Sequence, residues 1–106
     1  MVQGYEKRRH PRTEITAVAV LIATAKGAYL SNLADVSRGG CRVVRPLAWT
    51  DQSRPPYRLY FIVDQDTVID IEATLVRASE EHIAFQFAAG QNEEVEQLLY
   101  EARFIA

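Results

Sequence analysis

The run Thr67-Val68-Ile69-Asp70-Ile71-Glu72-Ala73-Thr74-Leu75 alternates without interruption. Ile69, Ile71, Ala73 and Leu75 fall on one side, and Asp70, Glu72 and Thr74 on the other. A period of two belongs to a strand with one dry and one wet face, and it cannot be laid on a helix without scattering the apolar residues around the axis. Working outward, Tyr57-Arg58-Leu59-Tyr60-Phe61-Ile62-Val63 is aromatic and β-branched, and Asp64-Gln65-Asp66 joins it to the first run as a short turn. After Ser79-Glu80-Glu81, Ile83, Phe85 and Phe87 alternate with Ala84 and Gln86 in a last strand.

Upstream, Ile15 to Thr24 has no charge inside it and stops at Lys26-Gly27, and it reads as a strand buried on both faces. Tyr29 to Val36 and Cys41 to Arg45 follow as two more strands. Pro46 to Pro56 carries three prolines and is a loop, with Trp49 placed to close one end of a core. Six strands joined mostly by short turns predict a mainly β fold, a small antiparallel barrel. The period then changes: Val95, Leu98, Leu99 and Ala102 follow helical spacing behind Asn92 as N-cap and Glu93 and Glu94 in the first turn. An amphipathic C-terminal helix over 92–104 is expected to dock on the barrel, its four apolar side chains contributing on the order of 5 kcal/mol before entropy is subtracted.

The chain has 106 residues, enough for one core and too few for two. Its division is a basic arm over 1–14 and a single domain over 15–106. Composition is globular, at 48% hydrophobic and 25% charged residues. A lone Cys41 excludes an internal disulfide and supplies no metal spacing, and its expected state is a small buried thiol. No apolar run nears the roughly 20 residues of a membrane span, and the charged start is unlike a signal peptide, so a cytoplasmic protein without membrane insertion is expected.

Charge is divided unevenly. Residues 1–50 hold eight Lys or Arg against three Asp or Glu, whereas residues 51–106 hold four against eleven. An acidic body would repel a long polyanion lying across it, so no nucleic-acid polymer is expected as partner and a barrel of the OB type is disfavoured. A compact anion suits the basic arm. Lys7, Arg8, Arg9 and Arg12 lie within six positions around His10 and Pro11, presenting guanidinium forks from a stretch with little reason to be helical.

The second motif is Asp35-Val36-Ser37-Arg38-Gly39-Gly40, a carboxylate, a hydroxyl and paired glycines on the turn between two strands. There backbone can approach a bound group closely. Ser37 has no evident His partner, the carboxylates are not paired, no phosphate-loop or dinucleotide glycine pattern occurs, and His10 and His82 lack ligand spacing. Neither an enzyme nor a metal protein is indicated.

Taken together, Arg8-x-x-x-Arg12, the turn Asp35-x-Ser37-x-x-Gly40, a strand between them and a barrel around them make the chain resemble a PilZ domain, the bacterial receptor module for cyclic di-GMP. The likeness covers nearly the whole length. It implies a six-stranded barrel whose N-terminal arm folds across the mouth and clamps the dinucleotide against the turn. Arg8 and Arg12 would take phosphate and guanine contacts, Arg9 would stack or fork, and Lys7 would add charge. Asp35 would accept from a guanine edge or orient one of those Arg side chains. Ser37 would donate to phosphate or base, Gly40 would leave room for ligand against bare backbone, and Gly39 would take a φ above zero. The chemistry is apt, because an Arg can fork onto guanine O6 and N7 or onto phosphate and can stack its flat face on a purine. No cofactor beyond that ligand is implied. The output would pass to an unidentified protein effector in motility or biofilm regulation; the alternative is a PilZ-like adaptor that binds no ligand. Two departures stand out: His82-Ile83-Ala84-Phe85 lacks a glycine common in the family's final strand, and Arg38 and Arg42 add charge the motif does not require.

Overall fold

The computed structural model describes residues 13–14, 18–50 and 56–105. Among these residues, seven strands and one helix follow in chain order: β1 (Thr13–Glu14), β2 (Ala19–Thr24), β3 (Gly27–Val36), β4 (Gly40–Val44), β5 (Tyr57–Asp64), β6 (Thr67–Ala78), β7 (His82–Phe87) and α1 (Asn92–Ile105). All pairings are antiparallel. The order β3-β2-β5-β6-β7-β4 closes on itself through β3 and β4, giving the expected six-stranded barrel. Closure removes the open edges that a flat sheet of this size would expose.

The two-residue β1 lies outside that ring. It pairs with β3, Thr13 opposite Val36 and Glu14 opposite Asp35. Val36 is also opposite Cys41 of β4. Since a strand has only two edges, β1 shares an edge of β3 with β2, and the last two residues of the expected arm are part of the sheet.

Inward side chains form one core of Val20, Ile22, Leu33, Leu59, Phe61, Ile71, Ile83 and their neighbours. Of the stretch expected to be a strand from Ile15, residues 15–17 lie outside the described residues and β2 begins at Ala19. Its burial on both faces is corrected: Val20 and Ile22 are buried, but Ala19, Leu21 and Ala23 face outward and are half-buried. The barrel has only one interior. Leu21 is opposite both Leu30 and Tyr60, so an outward apolar side chain stands beside others of its kind on the neighbouring strands.

Trp49 closes one end of the barrel. It is buried between Tyr29, 4.7 Å away by ring centroid, and Tyr57, at 6.0 Å. Elsewhere α1 buries Val95, Leu98 and Ala102 in the common core and packs on β6 and β5. Gly90, at φ +84°, turns the chain out of β7 in the left-handed region that glycine enters freely. The carbonyl of Gln91 then accepts from the Val95 amide at 3.0 Å, which makes Gln91 rather than Asn92 the capping position.

Candidate functional site

The turn Asp35 to Gly40 joins β3 to β4 as a hairpin. The Ser37 amide donates to the Gly40 carbonyl at 2.8 Å, and the Phe87 amide donates to the Gly39 carbonyl at 2.9 Å, fixing the turn to β7 as well. The Ser37 hydroxyl lies 3.4 Å from the Gly40 carbonyl, long for an O–H bond, and Ser37 is exposed. Its hydroxyl is therefore presented outward while its backbone shapes the turn.

Asp35 departs from strand alternation. A bulge lies between Leu33 and Asp35, and both Asp35 and Val36 are buried in consecutive positions. The bulge brings Asp35 opposite Arg42 of β4. Arg42 donates to one Asp35 oxygen, Oδ2, through Nε at 2.8 Å and Nη2 at 2.5 Å. A carboxylate only 3% exposed needs such charge-assisted bonds, because burying it without them costs several kcal/mol. The orienting role expected for Asp35 thus falls, among the described residues, on Arg42, a side chain the motif does not contain.

Glycine at 40 has a cause within the barrel itself. A Cβ built there would strike the Phe85 carbonyl oxygen and come within 3.2 Å of the Gln86 Cα. The close approach that demands glycine is that of β7. The positive φ expected at Gly39 is corrected: among the described residues the positive-φ positions are Gly27 and Gly90, and a Cβ on Gly39 would meet nothing within 4 Å. Arg38 extends away from the turn and pairs with Glu96 on α1.

Beside the turn lies an open hollow of about 340 Å³, bordered by Asp35, Ser37 and Gly40 and, across β4, β7 and β6, by Arg42, Gln86 and Arg77. Cys41 lies beneath it. Its thiol is buried, and burial first and the Asp35 charge second push its pKa far above the ordinary thiol range. Both effects favour its neutral form. Lys7, Arg8, Arg9 and Arg12 lie outside the described residues. Among those described, no group of three or more His, Cys, Asp or Glu could hold a metal ion. No helix among them is long and apolar enough to cross a membrane.

The family model for the PilZ domain matches residues 6–104. The chain belongs to the PilZ family. Similar folds include the PilZ domain of CeSA from a cellulose-synthesizing bacterium, with a TM-score of 0.74 at 19% identity over 89% of this chain and 99% of that one. The Bacillus subtilis inhibitor of motility, MotI/DgrA, has a TM-score of 0.68 at 20% identity, covering 93% of this chain and 50% of that one. An uncharacterized Legionella protein has a TM-score of 0.55 at 13% identity, covering 90% and 92% of the two chains. At such identities the likeness establishes the fold. No curated protein matches the sequence. PilZ domains form a cyclic di-GMP receptor family of receptor and adaptor modules, some of whose members do not bind the ligand.

Proposed function

We propose that this PilZ domain is a cyclic di-GMP receptor without catalysis of its own, which closes its N-terminal arm on the ligand and signals through a protein partner. The observation that carries the reading is the pairing of β1 with β3. Thr13, the residue directly after Arg12 in the chain, is opposite Val36, and Glu14 is opposite Asp35. Because Thr13 and Glu14 are held beside the motif turn, a basic arm leading into them supports a reading in which it closes on a ligand there without large rearrangement of the barrel. Arg8, Arg9 and Arg12, with Lys7 in support, supply forks and charge for two phosphates and two guanines. Ser37 presents its hydroxyl, and the Asp35–Arg42 pair holds a further guanidinium at the hollow. Gly40 serves the site by letting β4 lie close on β7.

Ordering of the arm would create the surface read by the partner, whose identity the fold does not specify. A cytoplasmic setting and an output in motility or biofilm regulation belong to the same proposal. Calorimetric titration of the chain with cyclic di-GMP tests it. Saturable binding that Arg12→Ala weakens, with amide NMR shifts along residues 7–14, is the expected result. A parent protein that gives no heat and no shifts overturns the reading and leaves an adaptor that works without ligand.

A further inference from the structure

The far wall of the hollow is built by an irregularity. Along β6, Leu75 is opposite Phe85 but Arg77 is opposite Ala84, with a bulge at Val76. Without it Val76 would stand opposite Ala84 and Arg77 would point toward the core. The bulge turns Arg77 to the outer face, where it is exposed. Bulges interrupt a ladder and persist where they re-aim a side chain. Here the residue re-aimed is a cation.

The registers place four residues in one row across the barrel: Asp35, Arg42, Ala84 and Arg77. Arg42 and Arg77 are separated by one strand, about 10 Å between Cα positions. Between them the floor is Ala84, with Gly40 and Gln86 opposite each other in the adjoining row. Two guanidiniums thus flank Ala84, whose methyl group leaves the space between them open. They differ in constraint, because Arg42 is clamped by buried Asp35, whereas Arg77 makes no ion pair among the described residues.

We infer that Arg77 is a ligand-contacting residue of this site, stacking its planar guanidinium on the purine at the end of the dinucleotide remote from the motif turn. The inference rests on the reading of the site as a cyclic di-GMP site and adds to it a specificity determinant outside both motifs. A planar cation beside a floor opened by Ala84 and Gly40 suits the face of a purine, which a hydrated ammonium serves less well. The contact also reaches a part of the ligand that the turn itself does not.

Calorimetric titration of the chain with cyclic di-GMP tests it through Arg77→Ala, Arg77→Lys and the control Lys26→Ala. Lys26 sits at the opposite end of β3 from the motif turn, roughly 30 Å along the strand. Arg77→Ala is expected to weaken binding about tenfold. Arg77→Lys, keeping charge but not the planar fork, should remain at least about threefold weaker than the parent, while Lys26→Ala binds like the parent. Because Arg77 is exposed, both variants should melt within about 2 °C of the parent. Equal binding by Arg77→Ala and parent, or full recovery by Arg77→Lys, overturns the inference alone. A parent that does not bind overturns the functional reading, and the inference with it.

Discussion

Asp35 and Arg42 stand opposite each other on β3 and β4, and both Nε and Nη2 of Arg42 donate to the same buried Asp35 oxygen. The pair holds one carboxylate in the motif hairpin and aims one guanidinium at the hollow. Arg42→Met should preserve most of the aliphatic packing while removing both bonds, and is expected to cost about 2 kcal/mol in urea denaturation, discounted from a fully buried pair because Arg42 is partly exposed. An unchanged denaturation midpoint would show that the pair is not what holds Asp35 in the barrel.

The two adjacent glycines should separate cleanly. Gly40→Ala drives a methyl onto the Phe85 carbonyl, so β4 and β7 must part, and about 1–3 kcal/mol of stability should be lost. Gly39→Ala meets open space at a φ outside the left-handed region, and should be neutral or stabilise by a few tenths of a kcal/mol through the unfolded chain. Thermal unfolding of the two variants side by side checks this. Equal losses would contradict the assignment of the close approach to position 40.

Gln91 ties the start of α1 to β6. Its Oε1 accepts from the Glu72 amide at 2.7 Å, and its Nε2 donates to the carbonyls of Glu72 and Ala88, each at 2.9 Å. The side chain thereby continues the ladder where the sheet has no further strand. Gln91→Ala should cost about 1–3 kcal/mol and speed exchange of the Glu72 amide proton. Gln91→Glu should not rescue it, since a carboxylate would face two carbonyl oxygens. Rescue by Glu would mean that the two donated bonds contribute little.

Alternation and helical period made the barrel legible, because Ile69, Ile71, Ala73, Ile83 and Phe85 obey the pleat, and Val95, Leu98 and Ala102 obey the helix. What the period of two cannot reveal is where it breaks. The bulges after Leu33 and Leu75 decide that Asp35 meets Arg42 and that Arg77 faces outward, and a bulge leaves no signature in residue type. The motif turn was legible from its spacing, but the reason for Gly40 lay in a strand more than forty residues away. Likewise, an apolar run such as Ala19–Thr24 says how many side chains avoid water and not how many sides a barrel can cover.

Cys41 carries the last expectation. It is buried beneath the hairpin, and desolvation first and the Asp35 charge second raise its pKa well above the ordinary value of 9.0. The folded thiol therefore stays protonated at a pH where the unfolded thiol ionises. Below about pH 9 the two states bind the same proton and Cys41 contributes no pH dependence; above it the unfolded state loses the proton first, so stability falls as pH rises. In the native protein a thiol reagent at pH 8 should label Cys41 only at the rate of global or local opening, and rapidly once urea unfolds the chain. Cys41→Ala should flatten the decline in stability between pH 9 and pH 10.5, measured against the parent. Fast labelling of the folded protein, or the same alkaline slope in both proteins, would place the thiol in contact with water and remove it from the core.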